Sequence, residues 1–283
     1  MGQRLYRHID ELRQRLHCPD PWKRMWALRA LGETRAPRAR EALVGALQAE
    51  SRQMRARALL SLWQGEQSVP TPEARALLTD PDEHVRAMAV RFAPDLLGPA
   101  AASELMRHLD DPSPKVRSSA VDSLAELRHA PALPLLRRLL ADPESMVQAA
   151  ACHALGKLGD EKSVEALAAR AETDENTYTR YQAAEALLRL GDPRGAERLR
   201  RMAEAGEAPD FLSLERFRLE VRCLLATGRT YPASQLRERS TALRQPASSW
   251  AGSRAEGAKR RSMRQWVDRS PVVLQRPTAK PAR

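Results

Sequence analysis

Aromatic residues are scarce in this chain of 283 residues, at 4%, and Ala and Leu supply most of its apolar set. That balance excludes a β-rich core built on aromatic and branched side chains and favours helices. The three cysteines, Cys18, Cys152 and Cys223, are odd in number, far apart and form no CxxC pair. A disulfide framework and a cysteine zinc site are therefore not expected, and a reducing, cytoplasmic setting is. No apolar run approaches the ~18–20 residues that span a bilayer. The opening MGQRLYRHIDELRQRL is charged throughout, without the apolar stretch of a secretory signal, and Tyr6 stands where myristoylation needs Ser or Thr.

Catalytic patterns are missing too. There is no P-loop, no GxGxxG after a strand and no GxSxG. The six histidines (8, 17, 84, 108, 129 and 153) share no i,i+4 spacing and no local carboxylate cluster, so neither a metal nor a cofactor is expected. His17 and Cys18 are adjacent, and adjacent side chains rarely face each other as a nucleophile and base must. Asp110–Asp111 and Asp160–Glu161 fall in inter-helix turns, where acids cap helices rather than donate protons. These absences point away from an enzyme.

The net charge of +11 is localised. Residues 1–228 hold 34 Lys and Arg against 33 Asp and Glu, whereas residues 229–283 hold 13 against 3. The body is neutral and the tail basic. From Pro232 onward Pro, Ser, Arg and Ala dominate and periodicity vanishes, which predicts a disordered segment over 229–283. Within it, AKRRSMRQWVDRSPVVLQRP (258–277) gathers Lys259, Arg260, Arg261 and Arg264 around Trp266, ahead of an apolar Val272–Leu274 run. This reads as a short linear motif for an acidic protein, a nucleic acid or an anionic membrane.

The rest of the chain repeats itself. DPSPKVRSSAVDSLAEL (111–127) echoes DPDEHVRAMAVRFAPDL (80–96) and DPESMVQAAACHALGKL (142–158), at a spacing of 31. A reacting centre needs one copy, whereas a fixed period marks a unit that stacks on copies of itself. Steps of 31 connect Ala27, Ala58, Ala89, Ala120 and Ala151, and one step of 32 reaches Ala183. Four residues later stand Leu31, Leu62, Ala93, Leu124, Leu155 and Leu187, and four earlier Lys23, Met54, Val85, Val116, Val147 and Thr179. Offsets of −4, 0 and +4 make one helical stripe with a small residue at its centre. Asp-Pro at 80–81, 111–112 and 142–143 is expected to start these helices, with Gly32, Gly159 and Gly191 following their ends and Pro94 ending or kinking the third near Ala93. Second helices are expected over 39–49, 72–78, 101–109, 133–140, 164–171 and 196–203. Six helix pairs then fill 18–206. A capping helix is expected over 1–17, from the stripe Leu5, Ile9, Leu12 and Leu16. Another is expected within 207–228, from Leu214, Phe217, Val221 and Leu224.

The pattern D-P-x-x-x-V-R-x-x-A-x-x-A-L-x-x-L-G-D resembles HEAT-like repeats, carried best by Asp111, Val116, Arg117, Ala120 and Leu124. Its short period is similar to that of E/F-type phycobilin lyases and many bacterial scaffold proteins. The resemblance implies an all-α, right-handed solenoid that presents surfaces to partners. It also implies that the recurring Arg24, Arg55, Arg86, Arg117 and Arg180, with Gln148 in the fifth slot, form a structural ladder onto turn carboxylates such as Asp80, Asp111 and Asp142. The competing reading is a phosphate-binding stripe.

Offsets −5, +2 and +6 point away from the core and form a row of mixed sign. It contains Trp22, Arg29 and Glu33; Gln53, Leu60 and Gln64; His84, Arg91 and Asp95. Lys115, Asp122 and Glu126 continue it, followed by Met146, His153 and Lys157, then Tyr178, Glu185 and Arg189. Trp22, Arg29, Arg91, His153 and Tyr178 are the candidate partner-binding residues. Trp22, Trp26 and Trp63 alternatively plug the N-terminal end of the solenoid. A non-catalytic scaffold or adaptor is the expected function. Two enzyme alternatives follow from resemblance alone: a bilin lyase or its partner, and a HEAT-like DNA glycosylase using Trp22, Arg91 and Asp122, for which the neutral body is a poor groove.

Overall fold

An alanine at the centre of each repeat leaves room for a neighbouring helix, and the fold is built on that room. The computed structural model describes residues 2–209 and 214–227; the expected tail, with Lys259, Arg260, Arg261, Arg264 and Trp266, lies outside them. The chain divides between Leu212 and Ser213 into two units. Among the described residues the regular structure is α-helix with short 3-10 turns, and the first unit is an all-α solenoid of helix pairs.

The first unit opens with α1 (Gly2–Arg15), which packs on the first pair, α2 (Pro21–Thr34) and α3 (Pro37–Ala46). Then follow α4 (Arg52–Gln64) with α5 (Thr71–Leu78), α6 (Glu83–Leu97) with α7 (Ala102–Arg107), and α8 (Pro114–Glu126) with α9 (Leu133–Arg138). The last pairs are α10 (Ser145–Leu158) with α11 (Val164–Thr173), and α12 (Thr177–Arg189) with α13 (Pro193–Ala205). The second unit contributes α14 (Leu214–Thr227), in which Phe217, Val221 and Leu224 are buried and Leu214 is exposed.

The core is the predicted stripe. Ala27, Ala58, Ala89, Ala120, Ala151 and Ala183 are all buried, as are the six residues four positions later. Lys23, at offset −4 in the first repeat, is exposed, and the equivalent Thr179 is buried. Each first helix packs on the next, α2 on α4 and so on to α12, and the thinnest of these contacts is α4 on α6.

Two local expectations are corrected. The Asp-Pro pairs do not begin the helices: α6, α8 and α10 start three residues after Asp80, Asp111 and Asp142, and the N-caps are Asp82, Ser113 and Glu144. Each Asp instead accepts the backbone N–H two residues on, at 2.9 Å, which turns the chain into the helix. Gly32 lies inside α2, and Arg35, in the left-handed region at φ 52°, ends that helix. A Cβ at Gly32 would sit 2.8 Å from the Ser61 carbonyl oxygen, so glycine is there for the approach of α4.

Of the two outcomes expected at Pro94, an end or a kink, the end is excluded, since α6 runs on to Leu97. Proline deprives the carbonyl four residues back, that of Val90, of its helical donor. The buried Ser123 hydroxyl on α8 donates to that carbonyl at 2.9 Å instead.

These contacts share a register. Offset +5 of one first helix meets offset +3 of the next. Gly32 faces Ser61, Trp63 faces Phe92, and Gly156 faces Ala186, whose Cα lies 2.6 Å from where a Cβ on Gly156 would be. Pro94 and Ser123 hold the same two positions, as do the buried Ala125 and Ala154. One seam is aromatic. Trp63 and Phe92 stack with centroids 4.6 Å apart and planes 6° apart, and two large rings between α4 and α6 account for the thin contact there.

Candidate functional site

At 100° per residue, offsets −5, −1, +2 and +6 of the first helices share one arc facing away from the buried stripe. Asp20 starts this arc in α2 by accepting the Trp22 N–H at 2.9 Å, and Asn176 starts it in α12 by capping Tyr178 and Thr179. Among the described residues of the first unit, the exposed large apolar side chains are Trp22 (43%), Trp26 (51%), Met146 (43%) and Tyr178 (37%). All four lie on the arc. Trp22 and Trp26 occupy neighbouring turns of α2, and Met146 and Tyr178 open α10 and α12. Trp63 is different: its ring is in the α4–α6 seam and its Nε1–H donates to Asp95 at 2.8 Å.

Between the two apolar ends the arc is polar and internally paired. Arg91 binds Asp122, and Lys115 Nζ reaches Glu83 at 3.1 Å and His84 at 3.0 Å. Arg29 lies outside this stretch, paired with Glu33 on α2 at 3.1 Å in an exposed i,i+4 bridge. The sequence places Leu60 and Glu185 on this surface, but both are buried, Leu60 against the core and Glu185 in an ion pair with Arg189. Trp22 on α2 lies two repeats before Arg91 on α6 and three before Asp122 on α8, so the glycosylase-like triplet is not brought together.

His153 is half-buried, with Nδ1 3.3 Å from Gln182 Oε1 and 3.2 Å from Arg189 Nη1. Burial, and then the Arg189 charge, push its pKa down to about 4, so the ring is neutral in the folded protein at physiological pH. Tyr178 is exposed as a residue, but its hydroxyl bonds to the Gln182 side chain, and burial at that end followed by the Asp122 and Glu185 carboxylates pushes the phenol up to about 12. The adjacent Cys152 is fully buried and its thiol is pushed up to about 12 by that burial. Gln182 thus joins a neutral imidazole and a protonated phenol in a positioning network, and the buried, protonated Cys152 thiol, set among Arg170 and Asp174, is not an activated nucleophile either.

The arginine series runs along another edge. Arg55 holds Asp80 through two hydrogen bonds of 2.7 Å, Arg86 holds Asp111 at 3.0 and 2.9 Å, and Arg117 holds Asp142 at 2.8 and 2.9 Å. The remaining Nη1 of each returns to carbonyls of its own repeat, as Arg86 does to Asp80 O at 2.7 Å. Every aspartate thus joins two repeats and caps a turn. Burial works against ionising Asp111, but Arg86 and the Ser113 N–H outweigh it and hold its pKa down. Arg24 finds only the carbonyls of Cys18 and Pro19, because the residue 25 positions on is Ala49. At Gln148 the ladder is carried by Arg170 of α11, which bonds Gln148 Oε1 at 3.0 Å and Asp174 at 2.6 Å.

Sequence reasoning left out the −1 position, and with it Trp26 and Gln182. At −100° this offset lies within the same arc as −5 and +6, so the angular rule alone was enough to include it. Arg170 had no such signal, since it comes from a second helix outside the repeat position.

Two solved structures share the architecture. One, the complex of CpcE and CpcF of phycocyanin lyase from Nostoc sp. PCC7120, aligns with a TM-score of 0.52 at 21% identity, covering 83% of this chain and 94% of the matched one. The other, YibA of Escherichia coli, aligns at 0.53 with 17% identity, covering 86% and 96%. At these identities the likeness is one of fold. No curated protein matches the chain. The family model of HEAT repeats matches residues 9–74, 102–187 and 147–213; between its first and last matched residues the one gap is 75–101, which contains α6. With those matches covering most of the chain, and with the ladder and buried alanine stripe that run through them, this protein belongs to the HEAT-repeat family.

Proposed function

We propose that the chain is a non-catalytic scaffold or adaptor whose solenoid binds a protein partner along the arc of the first helices. One observation carries the reading: the exposed large apolar side chains described in the first unit, Trp22, Trp26, Met146 and Tyr178, all fall on this arc. Aromatic anchors next to paired charges are the composition of a binding surface. The network around His153 supports binding over catalysis, because a weakly basic imidazole and a protonated phenol supply no activated nucleophile. In the phycocyanin lyase structure the matched solenoid is one of two proteins in a complex, which supports a partner here. The basic segment 229–283 adds a second contact, for an acidic protein, a nucleic acid or an anionic membrane, on the strength of its 13 Lys and Arg against 3 Asp and Glu.

Affinity capture tests both parts. Full-length protein is compared with a variant carrying Trp22→Ala, Arg29→Ala, Arg91→Ala and Tyr178→Ala, and with a truncation to residues 1–228. The quadruple variant is expected to keep its helicity and lose the solenoid partner, and the truncation to lose salt-sensitive polyanion binding. Unchanged capture by the quadruple variant sinks the assignment of the face.

A further inference from the structure

We infer that the Trp22–Trp26 end of the arc docks an acidic protein segment, one that places an apolar side chain on the two indoles and a carboxylate beside them. This rests on the scaffold reading and names the chemistry of its partner. The two rings are one turn apart on α2 and are among the most exposed large apolar groups of the described residues. Residues i and i+4 lie roughly 6 Å apart on a helix, which is the width of one aliphatic or aromatic side chain.

The charge around the rings selects the partner. The Arg15 guanidinium from α1 lies over Trp26, 5.3 Å from the ring centroid. Contact with a ring face uses the guanidinium's charge and leaves its N–H donors for a carboxylate, whose geometry their fork matches. Lys23, between the two indoles in sequence, is exposed and has no acidic partner among the described residues. The nearby Asp20 carboxylate is engaged in capping Trp22, and Glu33 in pairing with Arg29. The wider field agrees. Residues 1–75 hold 14 Lys and Arg against 8 Asp and Glu, whereas residues 76–228 hold 20 against 25. The neutral body is therefore positive along its first 75 residues and negative along the rest, and the exposed indoles lie in the positive stretch. A partner carrying acids near its anchor is steered to this end and repelled from the other.

A nucleic acid fits less well. The arc continues on α4 with Gln53, Gln64 and the half-buried Arg57, and Glu33 stands among the cations, so there is no continuous track for phosphates.

The test is anisotropy of a labelled amphipathic Glu/Leu peptide against the full-length protein, with a Lys/Leu peptide and a labelled oligothymidine as competitor chemistries. The basic segment 229–283 is present in every variant, so the reading is the difference between proteins. Trp22→Ala/Trp26→Ala is expected to weaken Glu/Leu binding roughly tenfold, as expected for loss of an aromatic hot spot. Arg15→Glu/Lys23→Glu is expected to weaken it similarly at low salt and less at high salt. Both indoles are exposed, so circular dichroism should be unchanged. Equal binding of the Glu/Leu peptide to wild type and the tryptophan variant overturns the inference. So does Trp-dependent binding of the Lys/Leu peptide or of oligothymidine in its place. If the tryptophan variant loses its native partner while the Glu/Leu peptide is indifferent to it, the partner chemistry is wrong and the scaffold reading stands.

Discussion

Ser123 shows how much one hydroxyl can decide. It supplies the hydrogen bond that Pro94 removes, so the pair can be tested as a cycle. Ser123→Ala should cost about 1–3 kcal/mol by leaving the buried Val90 carbonyl unpartnered. With Pro94→Ala the backbone N–H returns, and Ser123→Ala should then cost much less. Equal costs in both backgrounds, measured by urea denaturation, would show that the hydroxyl does not replace the proline's missing donor. His153 makes a second prediction at this scale. Its folded pKa, about 4, lies below the ordinary 6.5, so the unfolded chain takes up the proton first as pH falls. Stability should decline from about pH 6.5 towards pH 4 and be insensitive to this group above that window. Replacing His153 with Gln should flatten the decline, read as Tm against pH; an unchanged slope would mean that other groups produce it.

At the scale of helices, the recurring contact is offset +5 against offset +3. Its small residues allow helix axes to approach, and the cost of enlarging one is local and predictable. Gly156→Ala would drive a Cβ to 2.6 Å from Ala186 Cα, so destabilisation of about 1–3 kcal/mol is expected. Gly45, in α3, has no atom within 4 Å of the same added Cβ. Gly45→Ala should stabilise by about 0.5–1 kcal/mol, since only the helix-propensity gain remains. Calorimetry on the two variants separates seam from surface, and a similar shift in both would refute the register. The Trp63–Phe92 stack fills the one seam where the small residues are absent, and both rings are thereby withdrawn from any role on the arc.

For the molecule as a whole, the repeats bring like positions into rows, and each row does a different job. In Arg55, Arg86 and Arg117 the arginine row ties repeats together through buried or nearly buried carboxylates, which neutralise the guanidinium charges that a phosphate would need. Among the described residues of the first unit, the opposite arc is where large apolar side chains remain uncovered, towards both of its ends. The capture and peptide experiments both belong to this scale, since they depend on surfaces assembled from several helices. Charge is also organised across the whole body, positive over residues 1–75 and negative over 76–228, although the sum is close to zero. A net charge near zero therefore says little about where a charged partner goes.

Sequence alone determined the period, the helix pairs and the buried stripe, because each is encoded within a single helix by which side is apolar. The ladder was legible for a related reason: Arg and Asp recur at fixed offsets, and a repeating fold keeps that spacing constant. What sequence could not supply is the meeting of residues about 30 positions apart on different helices. Trp22, Trp26 and Trp63 look alike in the chain, yet two are exposed and one is stacked on Phe92, because only the last has a seam position opposite a ring. The continuation of α6 through Pro94 depended on a serine 29 residues later, and the ladder's passage over Gln148 on an arginine from another row. Local periodicity fixes which face of a helix is buried; which side chain fills the space against it is settled only when the next helix arrives.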